Sequence, residues 1–282
     1  MLSTPSLVEL RQHVAQARGK GLKVGLVPTM GALHAGHRSL VEACRSECGF
    51  VVATIFVNPT QFGPNEDFTR YPRTLEADLE MCRAAGADLV FHPETASVYP
   101  EGFCSYVDVE GITARLEGES RPGHFRGVAT VVLKLFNMAQ ADVAYFGQKD
   151  YQQQLLIRTM CRDLDVPIEI RTCPTVREPD GLALSSRNRY LSPAERAKAL
   201  SLSKALRMAE RLLQAGEKNV SAVRAAMMAV LEESSGVRVD YASVSDPNTL
   251  AELTAPQPEM VALVAARVGT TRLIDNLRIS VP

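Results

Sequence analysis

Between Lys23 and Gly147 the chain alternates short apolar runs with longer amphipathic stretches, and this alternation restricts the fold more than any other feature. The runs at 24–27, 50–57, 88–91 and 143–146 are brief and rich in Val, Ile and Phe, as strands buried on both faces are. Stretches 36–48, 74–85 and 128–139 lie between them with helical spacing, and a further helix at 150–164 precedes a strand at 168–176. Strand–helix–strand alternation predicts an α/β fold, a Rossmann-like doubly wound parallel sheet with helices on both faces. Ligands of such sheets bind beyond the carboxyl ends of the strands, so the loops that follow strands are the places to search.

The pattern changes after residue 176. Pro179-Asp180-Gly181 signals a turn, and Ser192-Pro193-Ala194-Glu195 reads as a capping box with Pro at the first helical position. Leu202, Leu206, Ala209 and Leu213 share one helix face, which Gly216 ends. A second helix from Val220 carries Val223, Met227 and Val230, and strand-like runs follow near 237–244, 260–268 and 272–279. Helices followed by sequential strands predict a smaller α+β domain, dividing the chain into 1–180 and 181–282.

Composition narrows the function classes. With 31 basic and 32 acidic residues the formal net charge is −1, so no global electrostatic footprint for a nucleic acid is present. The six cysteines form no CxxC pair and read as scattered thiols rather than a disulfide framework or a zinc site. The N-terminus shows no basic stretch leading into an apolar core, and the 50–57 run is far short of the about 20 residues that cross a bilayer. The expectation is a soluble cytoplasmic protein that engages neither membrane nor nucleic acid.

The strongest local signal follows the first strand: Pro28-Thr29-Met30-Gly31-Ala32-Leu33-His34-Ala35-Gly36-His37. It is neither a GxGxxG turn nor a Walker loop. Gly31 and Gly36 permit positive φ and close backbone approach, and a helix starting near Gly36 offers unpaired N–H groups to an anion. His34 and His37, three apart at that start, suit donation to phosphate oxygens. As bare residues they could instead be polar loop residues or, less readily, a metal-ligand pair; no Asp, Glu or Cys stands near enough in sequence to complete a metal set, and the position after the first strand favours a nucleotide.

Other segments carry polar chemistry at strand ends or between the domains. Gly147-Gln148-Lys149-Asp150 closes one strand and opens a helix; Lys149 supplies a compact charge for phosphates and Asp150 a helix cap, unless the segment is a plain surface turn. Ser185-Ser186-Arg187 could close over phosphates through two hydroxyls and a forked guanidinium, or serve as a Ser-rich linker. Asn58, Gln61 and Gln153 are neutral amides that donate and accept without forcing a buried charge, and Met30 and Phe62 are apolar residues in the loops after the first two strands; spacing alone leaves Gln153 a solvated helix residue. Arg121, His124 and Arg126 in Arg-Pro-Gly-His-Phe-Arg-Gly-Val form a basic loop that either touches substrate anions or orders the next helix. His13 and His92 receive no role.

The HAGH segment at a strand–helix junction resembles the signature of the nucleotidyltransferase superfamily. Together PTMGALHAGH, FVNPTQF (56–62), RPGHFRGV (121–128), FGQKD (146–150), LSSRN (184–188) and TTRLIDN (270–276) resemble the pantothenate synthetase (pantoate–β-alanine ligase) family from about residue 22 onward. That resemblance implies ATP-dependent condensation of pantoate with β-alanine through a pantoyl adenylate, releasing AMP and pyrophosphate. It implies ATP contacts from Met30, Gly31, Ala32, Leu33, His34, Ala35, Gly36, His37, Gly147, Gln148, Lys149, Asp150, Val176, Leu184, Ser185, Ser186 and Arg187. His37, His34, Lys149 and Arg187 are the implied catalytic groups, with His37 the proton donor. Gln61, Gln153 and Asn58 are implied for pantoate and β-alanine. Mg²⁺ is expected on the ATP phosphates rather than on a protein ligand set. A C-terminal domain that closes over the site and a homodimer complete what the resemblance implies.

Overall fold

The computed structural model describes residues 1–64 and 66–281. The chain divides into two compact units, residues 1–148 with 153–174, and 149–152 with 175–282.

The first unit is built on a six-stranded sheet in which every pairing is parallel: β1 (Leu2–Thr4), β2 (Val24–Thr29), β3 (Phe50–Ile55), β4 (Leu89–Phe91), β5 (Val143–Gly147) and β6 (Glu169–Cys173), ordered β1-β4-β3-β2-β5-β6. Helices α1 (Leu7–Gly19), α2 (Ala35–Glu47), α3 (Leu75–Ala84), α4 (Thr95–Val98), α5 (Glu117–Ser120), α6 (His124–Ala139) and α7 (Tyr151–Asp163) connect or flank the strands. Val24, Leu26 and Val52 point into a core with the buried faces of α1, α6 and α7, whereas Val27, Val51 and Ala53 point into a second core with α2 and α3. Alternate residues of one strand therefore serve opposite layers, which is why these strands are apolar throughout. The chain runs outward from β2 through β3 to β4, then returns to place β5 on the other side of β2. The strand order thus reverses between β2 and β5, the place where doubly wound sheets open a ligand crevice at their carboxyl ends.

Helix α2 lies unusually close to β2. A Cβ on Gly25 would fall 2.2 Å from Cys44 Sγ and 2.8 Å from Cys48 Sγ, so only glycine lets the helix seat its apolar face there. That seat, with Leu40 and Val41 buried on the same helix, sets the direction of its N-terminus.

Several elements differ from the sequence expectation, among them β3, which ends at Ile55 rather than at 57. β1 and α1 precede the first expected strand; β1 is three residues long, paired at a sheet edge, and too short to show a period. Ser6 caps α1 by accepting from Glu9 N–H, a local signal that the sequence did contain. α6 starts at His124 rather than at 128, because Gly123 at φ 81° turns the chain directly into the helix. β6 stops at Cys173, where Pro174 can donate no ladder hydrogen bond.

The second unit packs α8 (Pro193–Gln214) and α9 (Val220–Glu232) on an antiparallel sheet, β7 (Val237–Ser245), β8 (Glu259–Val268) and β9 (Thr271–Ser280), in that order. Ser192 and Glu195 form the expected capping box. Leu202, Leu206, Ala209 and Leu213 are buried with Val223, Met227 and Leu231; Val230, expected on that face, is only partly covered. Among the described residues no helix is long and apolar enough to cross a membrane.

Candidate functional site

The loop after β2 and the start of α2 are held by their own side chains. His34 is the N-cap residue, in extended conformation at φ −143°, and its Nδ1 accepts the Gly36 N–H at 3.2 Å. His37, three residues on, accepts the His34 N–H on its own Nδ1 at 3.3 Å. The pair forms a capping box in which two imidazoles replace the usual hydroxyl and carboxylate. Their rings lie 4.1 Å apart, centroid to centroid. An Nδ1 that accepts a backbone N–H cannot carry the ring proton, so in each neutral imidazole that proton sits on Nε2. Gly31 takes positive φ as expected, at 79°; Gly36 does not, because it lies inside the first turn of α2.

Asp78, on α3, holds the loop from beneath. Its Oδ2 accepts Ala32 N–H at 3.0 Å and its Oδ1 accepts Leu33 N–H at 2.8 Å, while Thr74 Oγ1 lies 3.2 Å from both oxygens. The carboxylate is 2 % exposed. It compensates Ala32 at φ 51°, a conformation an alanine rarely adopts. Sequence reasoning missed Asp78, since an acid in the first turn of a helix looks like an ordinary complement to the helix dipole.

After β3, the 3-10 turn Pro59–Gln61 presents the amides. Asn58 is buried, and its Nδ2 donates to Gln61 Oε1 at 3.0 Å and to Gly127 O at 3.2 Å. Its Oδ1 accepts from Thr60 N–H at 3.4 Å and from the Tyr99 hydroxyl at 2.7 Å. Burial raises the Tyr99 pKa, so the phenol stays a donor. Gln61 Nε2 approaches Met30 Sδ at 3.1 Å, which joins the turn to the loop that leads to the histidines. Phe62 meets Phe68 in a tilted contact and Tyr71 edge-on, at 5.4 and 5.8 Å between ring centroids. Gln153 is half-buried on α7, the helix that follows β5.

The basic loop before α6 does not stand apart from these groups. His124 Nδ1 lies 2.8 Å from Gln61 O, its Nε2 lies 2.9 Å from Arg121 Nη1, and Arg121 grips Glu66 through two bonds of 2.6 Å. Burial, then the Arg121 charge, push the His124 pKa down to about 4. Arg126 turns elsewhere, to Asp108 at 3.3 Å and over the Tyr106 ring at 4.2 Å.

In the second unit, residues 176–184 form a narrow hairpin around the expected Pro179-Asp180-Gly181 turn. Leu184 N–H donates to Val176 O at 3.0 Å, and Gly181 has φ 95°. Arg177 forks onto the buried Asp275 at 2.6 and 2.9 Å. Ser185 caps the 3-10 turn Ser186–Tyr190 by accepting Arg187 N–H at 3.3 Å. The lysine of GQKD is held through its backbone: Asn276 Nδ2 donates to Lys149 O at 2.7 Å. Lys149 Nζ lies 3.6 Å from Asp150 Oδ1. Asp275 and Asn276 of the C-terminal block thereby anchor both the hairpin and the lysine segment.

Comparison with known proteins gives these segments a family. The model of the pantoate-beta-alanine ligase family matches residues 3–278. Pantothenate synthetase of Moorella thermoacetica is 55 % identical over 98 % of both chains, and that of Herpetosiphon aurantiacus 54 % identical over 94 % of this chain and 97 % of its own. Among solved structures, pantothenate synthetase from Thermus thermophilus superposes with a TM-score of 0.94 at 48 % identity, covering 98 % of this chain and 99 % of that one. Pantoate-beta-alanine ligase from Francisella tularensis, complexed with beta-gamma ATP and beta-alanine, gives a TM-score of 0.79 at 34 % identity, covering 98 % of this chain and 97 % of its own. The chain belongs to the pantoate-beta-alanine ligase family.

Proposed function

We propose that the chain condenses pantoate with β-alanine in two steps that share one activated intermediate. A carboxylate resists attack by an amine because its leaving group would be oxide. In the first step a pantoate carboxylate oxygen attacks the α-phosphorus of ATP, the bond to pyrophosphate breaks, and pantoyl adenylate forms. In the second the β-alanine amine attacks the acyl carbon, AMP departs, and the amine nitrogen loses a proton as pantothenate forms. Neither step needs a covalent bond to the protein, so positioning and stabilisation of developing charge dominate.

The observation that carries this reading is the imidazole capping box at the carboxyl end of β2. When neutral, His34 and His37 each carry the ring proton on Nε2, beside a helix start whose dipole favours phosphate, although the Gly36 and His37 N–H groups expected to meet it are already paired with His34. His37 is the proposed proton donor to the phosphate oxygens. The loop at 30–37, with Gly147, Gln148 and Asp150, lines the nucleotide, while Lys149, Ser185, Ser186 and Arg187 hold the triphosphate. Val176 and Leu184, joined by a backbone hydrogen bond, offer main-chain groups to the adenine. Gln61 and Gln153 take pantoate and β-alanine, while Asn58, expected beside them, is buried with its amide fully bonded to Gln61, Gly127, Thr60 and Tyr99 and holds Gln61 instead. Magnesium, when bound, neutralises phosphate charge. It would be held mainly by the ATP phosphate oxygens, as is common for this hard cation.

ATP–pyrophosphate exchange with pantoate present and β-alanine absent tests the proposal. Pantoate-dependent exchange is expected, with pantothenate and AMP appearing on addition of β-alanine. Exchange without pantoate, or transfer of adenylate to a phosphorylated acceptor instead, would overturn it.

A further inference from the structure

The Arg-Pro-Gly-His-Phe-Arg-Gly-Val segment is left unassigned by the reaction, yet it touches the 58–61 turn at several points. A Cβ on Gly127 would stand 2.3 Å from Thr60 O, so α6 meets the turn backbone to backbone. Asn58 donates to Gly127 O across the same contact. His124 is 8 % exposed and has both ring nitrogens engaged, which suits it to holding a neighbour rather than touching substrate.

We infer that Glu66, Arg121 and His124 form a positioning chain that fixes the backbone of Gln61, while Asn58 turns the side-chain amide of Gln61 so that its nitrogen, not its oxygen, is presented to pantoate. This rests on the functional reading above.

The polarity of every link follows from the partners. A guanidinium has donors only, so His124 Nε2 must accept from Arg121, and Nδ1 must carry the proton donated to Gln61 O. Arg121 Nη2 adds a second donor to that same carbonyl at 3.3 Å. Glu66 fixes the guanidinium in a two-bond fork. The backbone of Gln61 is thereby held from one side.

Its side chain is oriented from the other. Asn58 Oδ1 accepts a backbone N–H from Thr60, and its Nδ2 donates to a backbone carbonyl at Gly127, so the Asn58 amide can sit only one way round. Its Nδ2 then faces Gln61, which must answer with Oε1 and turn Nε2 toward Met30. The amide so held recognises an acceptor, a hydroxyl or carboxylate oxygen of the acid substrate. Burial and the Arg121 charge keep His124 neutral, the form this chain of bonds requires.

Kinetics of pantoate-dependent exchange in the full chain test the inference. His124→Leu should raise KM for pantoate about tenfold while KM for ATP changes less than about twofold. His124→Asn, whose amide can donate to the Gln61 carbonyl from near the Nδ1 position, should recover most of that loss. Glu66→Gln, at a partly exposed position, should raise KM for pantoate by roughly threefold to fivefold, and keeps the test open should His124→Leu fail to fold. Thermal melts confirm that each variant is folded. Unchanged KM for pantoate in folded variants, or equal rises for both substrates, would overturn the positioning role while leaving the reaction intact. A wild-type chain without pantoate-dependent exchange would instead remove the functional reading and this inference with it.

Discussion

The carboxylate of Asp78 accepts the backbone N–H of Leu33 at 2.8 Å, reaching 45 residues back along the chain to fasten the loop that leads into the histidines. The same group takes Ala32 N–H, so two buried donors depend on it. Asp78→Ala should lower stability by about 3 kcal/mol, because each stranded donor carries its desolvation penalty of roughly 1–3 kcal/mol. It should also raise KM for ATP. Urea unfolding and exchange kinetics measure the two effects, and wild-type stability would contradict the role assigned to Asp78.

His37 serves the helix start and, in the proposed mechanism, the phosphates. The two roles separate in His37→Gln, because glutamine at this position is itself a capping-box residue. Stability should stay within about 1 kcal/mol of the wild type, as expected when a cap is replaced by another. Adenylate formation in a single turnover should slow roughly a hundredfold, the scale of losing one transition-state donor. An unchanged single-turnover rate would confine His37 to capping.

Lys149 and Gln153 are four residues apart but are assigned to different substrates. Lys149→Ala should cost adenylation about 3 kcal/mol with little change in pantoate affinity. Gln153→Ala should raise KM for pantoate more than KM for ATP. Asn276→Ala, which frees the Lys149 carbonyl from its bond, should reproduce part of the lysine defect. Matching profiles for all three variants would refute the division of labour.

Stability should fall as pH drops from 7 to 5. His124 is held near pH 4 in the fold, chiefly by burial and then by Arg121, against about 6.5 when unfolded. Its contribution is complete above the unfolded value and is lost as pH falls toward the folded one, because the unfolded chain takes up the proton first. Glu66 acts in the same direction but at lower pH, as the pH falls below the ordinary carboxylate value. Burial pushes its pKa up, but the hydrogen bonds and charge of Arg121 outweigh that and hold it below the usual value. The His124 contribution between pH 7 and pH 5 is on the order of 2 kcal/mol. Urea titrations at the two pH values should show that loss in the wild type and a smaller one in His124→Asn.

The residue pattern encodes local features. Apolar runs of four to eight residues specified strands buried on both faces, Ser192 and Glu195 specified a helix start, and Pro179-Asp180-Gly181 specified a hairpin turn. His34 and His37 stand at the spacing of a capping box, so the bonds that fix their tautomers lie within three residues. The tertiary structure alone decided the support of the site. Asp78 reaches 46 residues to Ala32, His124 reaches 63 to Gln61, and Asn276 reaches 127 to Lys149. A residue pattern encodes which face of an element is apolar, but not which polar group from a distant element arrives at a given backbone donor or carbonyl. In the first unit that follows from the strand order, with β2 between β3 and β5, and from the close approach of α2 at Gly25 and of α6 at Gly127. In the second it follows from where the antiparallel sheet sets Asp275 and Asn276.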